Sequence, residues 1–394
     1  MAIDEGLPRS VPEDMGMSTS RLRRMTPVMQ GYVDNGKIPC ALTMIARGGR
    51  LVHFEKFGMQ DITAAKPVDF DTIFRLYSMT KPITSVAVMM LYEEGNFQLT
   101  TPISEFVPDF NDMKVYTGDG SAIVDAEREV TIKHLLTHTA GLIYESDRDN
   151  HPIDQRYEDA DLYGGDLANM IQKLGDMPLI HHPGDAWKYG MSTDVLGYLV
   201  EIVSGMPFAT FLRTRIFEPL GMHDTGFSVR VENANRYSKI YDYVKGSGLK
   251  QIEKIHAATG PLSFFHSGGG GLQSTAADYL RFCQMVLNGG ELNGIRLLGR
   301  KTVELITMDH ISHDWKPNER TGSGFGLGFA VVTDVADTSS LGSVGTCSWG
   351  GMASTTFWID PMEELIAILM TQLVNADCPF HAQFRTLTYQ ALTE

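Results

Sequence analysis

Ser78 and Lys81 stand three residues apart in the segment Phe74-Arg75-Leu76-Tyr77-Ser78-Met79-Thr80-Lys81-Pro82. The segment reads as the start of a helix, where positions i and i+3 share a face. The amine then lies beside the hydroxyl and can take its proton. A free serine hydroxyl is a weak nucleophile, and an adjacent base activates it. Taken alone, the pair reads more readily as a serine that merely caps a helix. Its surroundings favour chemistry. Pro82 falls in the first turn, where a missing N–H costs little. Ile83 to Tyr92 is apolar enough for a buried helix, and Glu93-Glu94-Gly95 closes it.

Two further segments belong with this pair. One is His182-Pro183-Gly184-Asp185-Ala186-Trp187-Lys188-Tyr189-Gly190-Met191, and the other is Ser348-Trp349-Gly350-Gly351-Met352, directly before a strand. In isolation Tyr189 reads as a core tyrosine with a satisfied hydroxyl, and Trp187 and Trp349 read as packing residues. His134 and His138 have the i, i+4 spacing of metal ligands. Leu135, however, stands where the zincin motif has glutamate, so no metal site is expected. The cluster Asp309-His310-Ile311-Ser312-His313-Asp314 reads as a hydrogen-bonding loop. No complete G-x-S-x-G occurs. The nearest match, Gly190-Met191-Ser192-Thr193-Asp194, lacks the last glycine, which argues against an α/β-hydrolase and for Ser78.

The elements that must position these residues come from both ends of the chain. Ser18-Thr19-Ser20 caps a helix in which Leu22, Met25, Val28, Met29, Tyr32 and Val33 recur at helical spacing. Ala41–Arg47 and Leu51–Phe57 flank Gly48-Gly49, a hairpin signature. Ser354–Ile359 and Leu365–Met370 flank a turn around Asp360-Pro361, and a helical tail follows from Pro379 to Leu392. Hairpins at both ends, each beside a helix, predict an α+β fold with one antiparallel sheet flanked by the terminal helices. The expected division is 1–99 with 276–394 as this α/β domain, and 100–275 as a mainly helical one. The active site would lie in the cleft between them. Turn signals fall at 117–121 and 147–152. Gly268-Gly269-Gly270-Gly271 lacks the phosphate-loop pattern and reads as a tight turn near the cleft, before a helix start at Ser274–Asp278.

The 394 residues suffice for two domains, and 43% hydrophobic with 21% charged residues is ordinary for a globular protein. A formal net charge of −15 argues against nucleic acid and anionic membranes as partners. No apolar run reaches membrane-spanning length. Residues 1–20 hold two prolines and no apolar segment of the secretory type, so a cytoplasmic location is expected. Cys40, Cys283, Cys347 and Cys378 are widely spaced and read as free thiols.

Taken together, the S-x-x-K set, the PG-x-x-W-x-Y element and the W-G-G segment resemble the class C β-lactamase-like serine hydrolases, and within them the family VIII carboxylesterases. Asn96–Ile103, Thr131–Leu142 and Gly270–Asp278 match the same superfamily, in its order. The resemblance implies a serine β-lactamase-like fold with Ser78 as the acylated nucleophile. Lys81 and Tyr189 would share the base work. An ammonium near a phenol favours phenolate, and burial with a helix N-terminus favours a neutral amine. The resemblance leaves open which of the two takes the proton first, since such groups titrate as a unit. It also implies an oxyanion hole from the Ser78 N–H and that of Gly351 or Met352. Trp349 and Tyr144, with Gly350, would line the substrate pocket. No cofactor is implied. The partner is a small-molecule ester, and a homo-oligomer is left open.

Two departures bear on substrate. Class C lactamases carry Y-x-N in the second element, where Met191 stands here, and K-T-G in the third, where Trp349-Gly350-Gly351 stands. The amide-bonding side chain and the carboxylate-binding cation of that pattern are both absent. The expected activity is therefore a serine carboxylesterase cleaving short-chain esters through an acyl-serine. The alternatives are a β-lactamase, D-amino-acid peptidase or acyltransferase on the same fold, and a non-catalytic ligand-binding relative.

Overall fold

A computed structural model describes residues 5–117, 122–144, 154–252, 265–311 and 322–394. The turn signals at 118–121 and 147–152 lie outside these residues, as do Ser312, His313 and Asp314 of the histidine cluster.

The alternating apolar segments at the two ends of the chain form one antiparallel sheet of eight strands among the described residues. In chain order these are β1 (Cys40–Arg47), β2 (Arg50–Asp61), β3 (Lys66–Pro67), β4 (Ser323–Phe325), β5 (Ala330–Val332), β6 (Cys347–Gly350), β7 (Thr356–Asp360) and β8 (Leu365–Met370). Their spatial order is β4-β5-β6-β7-β8-β1-β2-β3. The two ends of the chain meet where β1 pairs with β8, from Leu42 opposite Met370 to Arg47 opposite Leu365. The β1–β2 hairpin turns on Gly48 and Gly49, with φ of 54° and 73°. Two successive left-handed residues are what a two-residue hairpin of this hand requires.

Both faces of the sheet are covered, so its central strands are apolar throughout. Cys40, Leu42, Met44 and Ala46 of β1, with Ile366, Ile368 and Met370 of β8, join one core. Their neighbours Ala41, Ile45, Leu365, Ala367 and Leu369 join a second core on the opposite face. That second face is covered by α1 (Met25–Asp34) and a C-terminal helix (Phe380–Tyr389) through Met25, Met29, Phe380 and Phe384. The N-terminal helix is broken where one continuous helix is expected. Thr19–Leu22 forms a separate turn capped by Ser18 Oγ, yet Leu22 and Met25 still point into the same core. Asp360, wholly buried at the β7–β8 turn, accepts from the Met362 and Glu363 N–H groups and from the Tyr389 hydroxyl at 2.7 Å. One carboxylate thus closes the last hairpin and fastens the last helix to it.

The first core continues into the segment between the two sheet halves. The helix predicted after Ser78 is α2 (Thr80–Glu93), buried at every position from Thr80 to Leu91. Gly95 follows with φ 81°, as a helix stop requires. Beside α2 lie α3 (Ile132–Leu136) and α4 (Ser192–Ser204), and α5 (Ala276–Leu287) packs under the sheet through Tyr279, Leu280 and Cys283. This middle segment also holds short β pairs. Lys114–Tyr116 pairs with Ile123–Asp125, and Ile240–Val244 pairs with Gly248–Ile252 and, in parallel, with Leu373–Val374. A two-residue pairing of Phe74–Arg75 with Gln273–Ser274 brings the glycine run beside Ser78.

His53 shows how burial couples this sheet to pH. Its ring is buried on β2 and its Nε2 lies 2.8 Å from Thr43 Oγ1. Burial, aided by the charge of Arg9, holds its pKa down at about 4. The unfolded chain takes up this proton near pH 6.5 while the folded one refuses it until about 4, so stability falls as pH drops through that window. The difference corresponds to about 3 kcal/mol. Urea-unfolding midpoints measured from pH 7 to 4.5 should fall accordingly, and His53→Gln should flatten that fall. An unchanged slope in the variant would contradict this assignment.

Candidate active site

Ser78 lies in a 3₁₀ turn, Tyr77–Met79, that runs directly into α2. The residue before it, Tyr77, has φ 46°, a left-handed conformation that a bulky side chain adopts only under constraint. The constraint is visible on both sides. The Leu76 N–H donates to the Leu272 carbonyl at 2.9 Å, and the Tyr77 ring packs against Ile240 and Ala353. Lys81, one turn on, is 1% exposed. An amine so far from water needs hydrogen-bond partners, and it has three: Ser78 Oγ at 3.3 Å, Tyr144 Oη at 2.7 Å and the Gly269 carbonyl at 2.7 Å. The S-x-x-K spacing therefore does bring hydroxyl and amine together.

The glycine run supplies the third acceptor, and it needs glycine for closeness rather than for φ. Gly268 to Gly271 are absent from the left-handed residues. A Cβ on Gly268 would lie 2.4 Å from the Thr193 carbonyl, and one on Gly269 would lie 2.6 Å from Asp194 Oδ2. The run is fastened to α2 by Thr84 Oγ1 donating to the Gly268 carbonyl at 2.8 Å and by the Leu272 N–H donating to Thr80 Oγ1. It is fastened to α4 by Asp194, whose Oδ1 accepts from Ser267 Oγ at 2.5 Å and from the Gly269 N–H at 3.0 Å.

Tyr189 and Tyr144 stand side by side over Lys81, with ring centroids 5.5 Å apart. The Lys81 ammonium lies 4.7 Å from the Tyr189 ring centre, and Trp349 Nε1 donates to Tyr189 Oη at 3.4 Å. Tyr144 is placed nearer the chemistry than a pocket wall, since its hydroxyl bonds Lys81 directly. Burial, with the neighbouring Tyr189 and Asp194, holds the Tyr144 phenol well above its ordinary pKa, so it stays protonated. Around Tyr189 an aromatic wall forms from His138 at 4.8 Å, Trp349 at 5.3 Å and Trp187, stacked at 6.1 Å, with Phe325 behind. His138 is neutral there, because burial and the charge of Lys81 push its pKa down. Its Nδ1 and the Trp187 Nε1 have no hydrogen-bond partner among the described residues.

The third segment reaches the Ser78 turn through β6. Gly351 approaches so closely that a Cβ would lie 2.3 Å from the Leu76 carbonyl and from Thr355 Oγ1. Its N–H already donates to the Thr355 carbonyl at 2.8 Å. The Met352 N–H has no acceptor among the described residues. Of the two N–H groups considered for an oxyanion hole, only Met352's is unengaged. Ser78, Tyr144, Tyr189, Trp349, Gly350 and Gly351 are half-buried and Met352 is exposed, so the cluster opens to solvent on this side. Met191 is fully buried in the core and offers nothing to the cleft.

His134 and His138 do not converge. His134 closes a capping box, its Nδ1 accepting from the Thr131 N–H at 3.2 Å. No cluster of metal-ligating side chains occurs among the described residues. A hollow of about 520 Å³ near the C-terminal end of α4, lined by Tyr198, Glu201 and His266, shares no residue with the Ser78 cluster. The residues that spacing alone does not single out are Asp194, the Gly269 carbonyl and Phe325, while His138 and Trp187 read there only as metal-ligand spacing and as a packing residue. Asp194 is an acidic residue within the first turn of an apolar helix, and that is its one sequence signal.

Comparison with known proteins identifies the family and the fold. The Beta-lactamase family model matches residues 25–389. Protein Rv1367c of Mycobacterium tuberculosis is 35% identical over 352 residues, covering 86% of this chain and 87% of its own. Esterase EstB of Burkholderia gladioli is 30% identical over 375 residues, covering 90% and 91%. Among solved structures, EstCE1, described as a hydrolase with promiscuous acyltransferase activity, superposes with a TM-score of 0.82 at 26% identity, over 94% of this chain and 99% of its own. The chain belongs to the beta-lactamase family, and within it resembles the family VIII esterases.

Proposed function

We propose that this protein is a serine carboxylesterase that cleaves esters of short-chain acids through an acyl-Ser78 intermediate. The observation that carries the reading is Lys81, buried and bonded at once to Ser78, Tyr144 and Gly269. EstB, named an esterase, and EstCE1, named a hydrolase, support the reaction class.

The donor inventory of Lys81 favours it as the first proton acceptor. A neutral amine has two N–H groups and one lone pair. The Gly269 carbonyl can only accept, so it takes one N–H. The phenol of Tyr144 can accept the second, which leaves the lone pair for the Ser78 proton. The Ser78 oxygen then bonds the ester carbonyl carbon, and the carbonyl oxygen takes up the negative charge. The Ser78 and Met352 N–H groups would receive that charge, each such donor contributing about 3 kcal/mol to the transition state. Collapse breaks the carbon–oxygen bond to the alcohol, which leaves with a proton relayed from Lys81 through Tyr144 and Tyr189. Water repeats the sequence in reverse to release the acid and restore Ser78. An alcohol in place of water would complete an acyl transfer, the promiscuous activity named for EstCE1.

Trp349 and the buried Met191 support a neutral ester over a penicillin-type lactam, because neither supplies a cation for a carboxylate or a side-chain amide for an amide bond. Three measurements test the reading. A fluorophosphonate followed by mass mapping should label Ser78, and Ser78→Ala should lower ester hydrolysis by about a thousandfold or more. Label on another serine, or an active Ser78→Ala protein, would sink the proposal. p-Nitrophenyl butyrate should turn over far faster than nitrocefin, and comparable rates would refute the substrate assignment. Gly351→Ala should cost about a hundredfold in kcat/KM, because a Cβ there forces the strand edge away from the nucleophile. Its melting temperature should change much less than its rate, and an unimpaired rate would remove Met352 from the oxyanion role.

A further inference from the structure

Beneath the Ser78 cluster lies a carboxylate that the proposed reaction does not use. Asp194 is 1% exposed. It sits in the first turn of α4, where the positive end of the helix dipole favours an anion. Its Oδ1 takes two hydrogen bonds, from the Ser267 hydroxyl at 2.5 Å and from the Gly269 N–H at 3.0 Å. The carbonyl of the same residue, on the next peptide unit, accepts from Lys81 at 2.7 Å. Gly269 has no side chain to separate the parts. A Cβ there would lie 2.6 Å from Asp194 Oδ2 and 3.2 Å from Tyr144 Oη, so carboxylate and phenol flank the glycine closely.

We infer that Asp194 is a positioning residue for the acyl-transfer site, one that aims the Gly269 carbonyl at Lys81 and supplies the negative charge that balances Lys81 when it carries the Ser78 proton. The inference rests on the proposed esterase reading. Lys81 lies in the first turn of α2, whose dipole opposes an ammonium. The groups facing Lys81 are Ser78, Tyr144, Tyr189, His138 and Asp194. His138 is neutral and the phenol of Tyr144 stays protonated, so neither supplies a fixed negative charge. Asp194 is the carboxylate among these groups. Burial holds its pKa above the ordinary carboxylate value, and the Lys81 charge, the Ser267 hydroxyl and the Gly269 N–H offset only part of that rise. Its ionisation and that of Lys81 therefore support each other. Asp194 acts on the reaction only through Gly269 and Lys81, so its effect appears in kcat and in pH dependence rather than in KM.

The experiment compares the parent protein with Asp194→Asn and Ser267→Ala, using fluorophosphonate labelling of Ser78 and the pH profile of kcat/KM on p-nitrophenyl butyrate. Asparagine keeps the shape and an acceptor but removes the charge. The expected result is a lower kcat with KM nearly unchanged, and an acid limb moved to lower pH by about one unit, because losing a nearby anion favours the neutral amine. Ser267→Ala keeps the charge and loosens the tether. It should lower kcat by about fivefold, the loss of one hydrogen bond, with the limb in place. Should Asp194→Asn fail to fold, Ser267→Ala with a parental kcat overturns the inference and a lowered kcat with an unmoved limb supports it. A superimposable profile in a folded Asp194→Asn protein overturns the inference and leaves the esterase reading standing. A parent Ser78 that takes no label overturns both.

Discussion

An amine withdrawn from water beside a hydroxyl is the constraint from which this structure's other features follow. Leaving Lys81 buried without partners would cost several kcal/mol. The fold meets that cost with acceptors drawn from three separate parts of the chain, at Ser78, Tyr144 and Gly269. None of the three can be moved far without exposing or orphaning the amine. The left-handed Tyr77, the sidechain-free run Gly268–Gly271 and the buried carboxylate of Asp194 are all accommodations to that one placement. Strain before the nucleophile, of order 1–3 kcal/mol, persists because hydrogen bonds from both flanking segments over-determine the turn.

The sheet delivers the remaining groups. Because β8 pairs with β1 in a fixed register, the strands that follow the middle segment return to lie beside those that precede it. A slip of one residue would turn Ile366, Ile368 and Met370 to the wrong face and carry β6 with them. The Trp349-Gly350-Gly351 edge would then no longer abut Leu76. Site geometry and core packing are thus set by the same alternation, and Gly351 at the contact lets the strand edge and the Ser78 segment approach to backbone distance.

Much of this was legible in residue order, and the reasons differ by element. The β1–β2 hairpin and α2 announce themselves through local rules, a Gly-Gly turn and an apolar run with a proline start and a glycine stop. Ser78 and Lys81 are legible because their relation is also local, one helical turn. Tyr189 and Trp349 lie far away in sequence and are reached only through motif order. The Gly269 carbonyl and Asp194 are harder still. A backbone acceptor has no residue type to betray it, and an aspartate near a helix start looks like an ordinary dipole partner. The break between Leu22 and Met25 was likewise invisible, since the apolar spacing runs on across it. Tyr144 was legible as a member of the site but not as a ligand of the amine, because that role is set by a hydroxyl's final position.

The proposed preference for neutral esters rests on what the site leaves unpaired. A bound lactam antibiotic brings a carboxylate and an amide that lose water on entering. The wall it would meet is Trp349, Trp187 and Tyr189, with buried Phe325 and neutral His138 behind, and the position where the lactamase pattern has its asparagine holds Met191, turned wholly into the core. Lys81 is no substitute cation, since its donors are already committed inside the site. An uncompensated buried carboxylate costs several kcal/mol, enough to outweigh the apolar contacts that a lactam ring could gain. A neutral ester brings only a carbonyl, which the oxyanion donors receive, and an alkyl chain, which the aromatic wall shields from water. The same substitution that removes the cation therefore supplies the surface a simple ester requires.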